Sequence, residues 1–400
     1  MNLTKMKNPT LVTKTAGNAA ESSILTPTNG ELSLYFHVPF CTKKCGYCHF
    51  FVLPDRKYNH EQYVSSVAKE WEWRKLQLKK RTITSIYFGG GTPSLLSPNE
   101  LEALLKPIDF DRKIEVTLEA NPELLTPEKL KAFRALGINR LSIGAQSFDD
   151  RLLKALERTH TAKETLKAID LCVNAGFDNL SIDLMYDLPS QTEQQWRETL
   201  NIASQLPITH LSLYNLQIEE GSAFFKRQKS IQPLMPKDEV SLKMYEDAFH
   251  TLTKAGLTPY EISAFAKNNL YSRHNTGYWT GRSFLGYGPS AFSYDNGVRF
   301  QNVSHFNKYA KALNEGKDPA DFHDILDSNA RRRELLAIEL RLLQGVDLSQ
   351  FQQRHGPLEA ETLETITHLQ NDGFLEKQTP RLQLTNKGIL FYDSVASEII

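Results

Sequence analysis

Six short apolar runs alternate with longer helical patterns between residues 32 and 220, and that alternation commits the chain to an α/β architecture. The runs are 32–38 (LSLYFHV), 85–89 (SIYFG), 114–120 (IEVTLEA), 140–145 (RLSIGA), 179–185 (NLSIDLM) and 210–216 (HLSLYNL). Each is brief, rich in β-branched or aromatic residues and nearly continuous in apolar character, as expected of parallel strands covered on both faces. Helices between them carry start signals. Thr126-Pro127-Glu128 supplies a cap, a proline at the first helical position and an early acid. Thr161 with Glu164, and Thr192 with Gln195, read as capping boxes, and Gly137 and Gly176 as left-handed stops. Six β-α units in a row predict a parallel sheet curled into a partial (β/α)6 barrel with right-handed connections.

Functional groups in such folds gather at the C-terminal ends of the strands. The unusual residues fall there: a cysteine loop after the first run and Gly89-Gly90-Gly91-Thr92-Pro93 at the end of the second. Glu119 ends the third run, Gln146 follows the fourth, Asp183 lies in the fifth and Tyr214-Asn215 close the sixth. The loop holds Cys41, Cys45 and Cys48 with spacing C-x3-C-x2-C and no fourth cysteine nearby. Clustered thiolates on a short loop ligate iron–sulfur clusters or zinc. A [4Fe–4S] cluster with three protein ligands keeps one iron open for the amine and carboxylate of a small molecule. The zinc alternative recruits His37 or His49 as fourth ligand. Cys172, inside a helical pattern, reads as a small buried hydrophobe.

The loop resembles that of the radical S-adenosylmethionine (SAM) proteins. From about residue 32 the chain is similar to those related to oxygen-independent coproporphyrinogen oxidase, and closest to their HemW-type heme-chaperone branch. The matching stretches are YFHVPFCTKKCGYC, YFGGGTPS, LEANPE, RLSIGAQSF, LERTH, DLMYDLPSQT and HNTGYW. The resemblance implies Cys41, Cys45 and Cys48 as ligands of a [4Fe–4S] cluster, with Tyr47 beside it. It places Tyr35, Gly90, Gly91, Thr92, Glu119, Gln146, Arg158 and Asp183 around SAM. Where SAM is cleaved in this superfamily, an electron from the cluster breaks the sulfur–C5′ bond and yields a 5′-deoxyadenosyl radical.

Two features separate the branches. The oxidase branch has a further cysteine two residues after the third, where this chain has Phe50. The chaperone branch carries H-N-x-x-Y-W, matched by His274, Asn275, Tyr278 and Trp279, which the resemblance assigns to heme. A histidine can ligate heme iron and aromatics can flank a porphyrin; on the residues alone, the same types beside glycine turns pack a loop. Two positions depart from the pattern: His49 stands where an acid is usual, and Asp187 replaces a glycine. The implied function is a heme chaperone that binds cluster, SAM and heme and passes heme to an acceptor protein. Its cluster would need an electron donor. The alternative is coproporphyrinogen III dehydrogenase, which makes vinyl groups from propionates.

Beyond residue 220 the alternation fades. Residues 274–294 read as a structured loop, and helical patterns followed by two short runs around a proline turn predict a small winged-helix-like α+β domain. The expected divisions are a disordered tail (1–30), the barrel (31–300) and the C-terminal domain (301–400). Lys plus Arg and Asp plus Glu are 47 each, so no net field favours nucleic acid or a membrane surface, and Arg331-Arg332-Arg333 is a small basic cluster. No window approaches 18 apolar residues, and four cysteines in 400 residues make no disulfide framework, which together point to the cytoplasm.

Overall fold

The structure, a computed structural model, describes residues 30–78 and 81–400. The tail expected over residues 1–30 lies outside the described residues except for Gly30. Six parallel strands follow the six runs: β1 (Glu31–Val38), β2 (Thr82–Gly90), β3 (Glu115–Ala120), β4 (Arg140–Gln146), β5 (Asn179–Tyr186) and β6 (His210–Asn215). Helices α1 (Lys57–Arg74), α2 (Pro98–Leu105), α3 (Pro127–Ala135), α4 (Asp150–Ala155), α5 (Ala162–Asn174) and α6 (Glu193–Gln205) separate them. Each cap forms as its residues predict. Thr126 accepts from Lys129 N, and Thr161/Glu164 and Thr192/Gln195 close reciprocal capping boxes. Gly137 and Gly176 take positive φ just past α3 and α5.

The strands differ from expectation in one respect that matters for function. They alternate rather than run apolar throughout, because the inner face of the curled sheet carries polar side chains while the outer face packs into the apolar core. Leu34, Phe36, Ile86 and Phe88 are buried in the large apolar cluster, with Phe36 stacked between Phe88 and Tyr287. The intervening residues are polar and hydrogen-bond one another across the interior. Ser85 Oγ lies 2.9 Å from Ser33 Oγ, and Ser181 Oγ lies 2.8 Å from His210 Nδ1.

The sheet does not stop at six strands. After α7 (Asp238–Lys254), the antiparallel strands β7 (Thr258–Glu261) and β8 (Ala264–Ala266) extend the β6 edge. The segment expected as loop at 274–294 instead holds helix α8 (Arg273–Trp279) and strands β9 (Phe284–Tyr287) and β10 (Phe292–Asp295). Strand β9 pairs parallel with β1, and β10, β11 (Val298–Asn302) and β12 (Ala320–Ile325) continue antiparallel from it. The resulting open sheet has twelve strands in the order β12-β11-β10-β9-β1-β2-β3-β4-β5-β6-β8-β7. It carries past the division expected at residue 300, because ladder hydrogen bonds hold β11 to β10 and β12 to β11.

Helix α9 (Phe306–Asn314) lies between those last two strands and packs on α1. The C-terminal unit then comprises α10 (Ser328–Glu339), β13 (Val346–Asp347), α11 (Leu348–His355), α12 (Ala360–Asn371), the hairpin β14 (Leu375–Gln378) and β15 (Arg381–Leu384), and two final helices. Its three strands pair in the order β13-β15-β14, giving the expected winged-helix-like α+β arrangement. No helix among the described residues is long and apolar enough to cross a membrane.

Candidate functional site

The chain leaves β1 at Val38 and enters the cysteine loop at the C-terminal mouth of the barrel. Phe40–Cys41 pairs with Leu53–Pro54, and Asp55 N donates to Cys41 O at 3.0 Å, so the two ends of the loop are tied together. Within it Cys48 N donates to Cys45 O, and Lys44 Nζ reaches Phe50 O at 2.9 Å. All three thiols are free and partly exposed. Burial pushes Cys41 up to about 11, against a hydrogen bond from Thr92 that lowers it. Burial also raises Cys48. Metal binding would therefore displace protons from these thiols.

Among the described residues no group of three His, Cys, Asp or Glu side chains already converges on one metal position. The fit to a cluster rests on donor chemistry. Three free thiols share one tethered loop, with Arg158 Nη1 3.6 Å from Cys45 Sγ and Thr92 Oγ1 3.6 Å from Cys41 Sγ. A cation and a hydroxyl beside thiolates are the surroundings a negatively charged cluster needs. The zinc set fits less well. His37 is buried with Nε2 2.9 Å from Phe51 O and Nδ1 3.2 Å from Tyr35 OH, and His49 is exposed against Phe50.

The residues assigned to SAM come together beside the loop. Gly90 has φ of +106°, and a Cβ there would lie 2.5 Å from the His37 ring. A Cβ on Gly91 would lie 2.6 Å from Phe40 O, so the second strand can approach the cysteine loop only without side chains. Glu119 accepts from Tyr87 OH at 2.7 Å and from Gly90 N at 3.2 Å. Burial drives its pKa up to about 7, against those two hydrogen bonds, with Asp183 adding to the rise. Asp183 is raised as well, chiefly by burial, while Ser212 and Ser142 hydrogen bonds oppose the shift.

Arg158 donates through Nη2 to Asn121 Oδ1 and Gly144 O, and its Nε has no partner. Burial works against its charge, but Tyr47 and Cys45 outweigh that and raise its pKa. Gln146 sits at φ +63° with a buried, unpartnered Oε1. Orphaned polar atoms on Gln146 and Arg158 suit a ligand that brings hydroxyls and a carboxylate. Tyr47 packs edge-on against Phe224 beside Arg158. Asp187, standing where glycine is usual, adopts φ +60°; its carboxylate accepts from Asn215, an anchor glycine would lack.

The H-N-x-x-Y-W residues lie elsewhere. Helix α8 closes the N-terminal end of the barrel, opposite the cysteines, with the amides of Arg273 and His274 on the Glu115 carboxylate at 2.9 and 3.0 Å. His274 is 1% exposed, and both its ring nitrogens are engaged: Nδ1 with Ser85 Oγ at 3.0 Å, Nε2 with Tyr278 OH at 2.8 Å. Burial, with Arg282 and Arg140, lowers its pKa to about 3, so the ring is neutral. Asn275 amide caps onto Ser272, and the Trp279 ring lies under the Arg341 guanidinium at 4.2 Å with its Nε1 unpartnered. Rings of His274 and Tyr87 are 4.9 Å apart, and Tyr87 bonds Glu119, so a column of side chains joins floor to mouth. Tyr87, Asn121, Glu115 and Arg140 escaped the sequence reading. For Tyr87, Glu115 and Arg140 the signal was the inward-facing half of each strand's alternation, masked by the apolar half; Asn121 follows β3 directly.

Three thiols on the loop after the first strand of an open parallel barrel, beside glycines, an acid and a buried arginine, define a radical SAM protein. The Radical SAM superfamily model matches residues 35–203, and the HemN C-terminal domain model matches residues 326–391. The chain is 33% identical over 373 residues to the protein named heme chaperone HemW of Lactococcus lactis, covering 92% of this chain and 97% of that one. It is 31% identical over 370 residues to the Bacillus subtilis protein of the same name, covering 91% and 97%. This chain belongs to the HemW family. Among solved structures, the Escherichia coli coproporphyrinogen III oxidase HemN superposes with a TM-score of 0.82 over 95% of this chain and 92% of its own, at 24% identity, a likeness of fold.

Proposed function

We propose that this protein is a heme chaperone: it holds a [4Fe–4S] cluster on Cys41, Cys45 and Cys48, binds SAM at the mouth, and binds heme for transfer to an acceptor protein. The carrying observation is the near full-length match to relatives named heme chaperones. Phe50, 53% exposed, in place of a further cysteine agrees with it. The bound cluster supplies an open iron and an electron, drawn from a separate donor protein. The chain's own residues do the rest. Gly90 and Gly91 admit the ligand to the strand ends, Thr92 and Arg158 face the sulfurs, and Glu119, Gln146 and Asp183 present acceptors to hydroxyl groups. Tyr35 and Tyr47 wall the site against water.

His274 is the proposed heme contact, assisted by Asn275, Tyr278 and Trp279. Reaching iron would require Tyr278 to release the 2.8 Å bond to His274 Nε2. No nucleic acid enters this reading, and the site of action is the cytoplasm. Anaerobic reconstitution with iron and sulfide, followed by electron paramagnetic resonance, should give a cluster spectrum that changes on adding SAM. Hemin titration should give a Soret band that His274→Ala shifts or weakens; an unchanged titration would remove His274. Protoporphyrinogen formed from coproporphyrinogen, SAM and a reductant would replace the chaperone reading with the dehydrogenase.

A further inference from the structure

Arg140 is the first residue of β4, and its side chain turns into the barrel rather than out to solvent. It is 1% exposed, and its Nε finds no hydrogen-bond partner. Directly across the strand pair, Thr117 of β3 is fully buried, and its Oγ1 also lacks a partner. The neighbouring polar groups are all occupied. Both Glu115 oxygens take the α8 amides, Ser142 bonds Asp183, Ser181 bonds His210, and Ser85 bonds His274 and Ser33. None of these carboxylates comes within ion-pair distance of the Arg140 guanidinium among the described residues. A buried arginine without a paired anion is an expensive arrangement, and proteins keep one where a ligand brings the anion.

The position fits such a ligand. Thr117 pairs in register with Tyr87, whose ring lies 4.9 Å from His274, so the unpaired guanidinium and hydroxyl adjoin the proposed heme contact. Arg140 is also the cation whose field is felt at Glu119, Asp183, His210 and His274 alike, which places it centrally in the interior. A guanidinium fork with an adjacent hydroxyl matches a carboxylate in geometry as well as charge.

We propose that Arg140 and Thr117 form a carboxylate-binding subsite inside the barrel, and that the carboxylate it takes is a propionate arm of the tetrapyrrole. The identity of the ligand rests on the heme-chaperone reading; the anion subsite itself does not.

The test compares hemin with hemin dimethyl ester, which lacks the propionate charges, by Soret titration of the full-length reconstituted protein. Wild type should bind hemin roughly 10- to 100-fold more tightly than the ester, the range for a charge-assisted contact. Arg140→Gln should bring the two affinities together, and Arg140→Lys should keep part of the difference. Undiminished discrimination by Arg140→Gln overturns the proposal. Sodium propionate, followed by thermal melting, separates the two levels: if wild type binds no hemin at all, the chaperone reading fails. A propionate-dependent rise in melting temperature, lost in Arg140→Gln, would still establish the subsite, and no rise would abolish it. Arg140→Met guards against a purely structural role. It should melt no lower than wild type without ligand, because no native partner is lost, and a lower melting temperature would make Arg140 a structural residue and overturn the proposal.

Discussion

At the scale of single residues, the site works by holding acids out of water. Glu119 is protonated more readily in the folded protein than in the unfolded chain, its pKa standing at about 7 against an ordinary 4.5, with burial the main cause. The folded state therefore favours the neutral acid. Stability from this group is complete below pH 4.5 and is lost as pH rises through about 7. Glu119→Gln keeps the shape and removes the titration. Urea melts across that window should show wild type losing about 2–3 kcal/mol relative to the variant; parallel profiles would mean that the carboxyl ionises freely. The neighbouring hydrogen bonds from Tyr87 and Gly90 limit the shift, and the SAM reading gives the same oxygens their ligand.

At the scale of elements, helix α8 shows why a short helical segment is poorly legible. Its seven residues are too few to be stable alone, and Gly277 lies in the middle. What holds it is remote in sequence: Glu115, on β3, accepts its first two amides, and Ser272 caps Asn275 N at 3.3 Å. Glu115→Ala should destabilise the protein by about 2 kcal/mol. Hydrogen exchange should show α8 opening first, with the His274 environment loosened. Thr161→Ala is the contrast. Its capping box lies on α5, far from the interior, so it should cost about 1 kcal/mol and leave exchange at α8 unchanged. Equal exchange at α8 in both variants would refute the positioning of that helix by Glu115.

At the scale of the whole molecule, one buried carboxylate joins parts of the chain more than two hundred residues apart. Glu70 of α1 is completely buried. It accepts from Arg74 Nε at 2.9 Å, Asn302 Nδ2 at 2.8 Å, Gly288 N at 2.9 Å and Tyr309 OH at 2.6 Å. The late strands and α9 are thereby locked onto the first helix of the barrel. Glu70→Ala leaves the buried Arg74 with only Asn302 Oδ1 at 3.0 Å and Asp318 Oδ1 at 3.8 Å, and should cost about 3–5 kcal/mol, measured as a loss of global stability. Retention of wild-type melting would show that the network contributes nothing. The C-terminal unit docks through Arg341, which stacks on Trp279 and pairs with the buried Glu261 at 3.3 Å, and through Leu343 N, which donates to Tyr260 O at 3.0 Å. Through Trp279 helix α8 touches both units, so a change at the barrel floor has a physical route to the winged-helix-like domain.

Local chemistry sufficed for the six parallel strands, the capped helices and the cysteine loop. Each rests on side-chain period, cap type or spacing within a few residues. The residues proposed for SAM came from the family resemblance, with Glu119 and Gln146 also marked by their places at strand ends. The polarity of the barrel interior, the strands after residue 280 and the placement of His274 did not follow, because they depend on partners far along the chain. Ser33 and Ser85 read as minor interruptions of apolar runs until the sheet curls and brings His274 against them. Arg140 likewise reads as an ordinary strand-start charge. Only the curling of the sheet buries it without a counter-ion, since tertiary packing alone decides which charges lose their water.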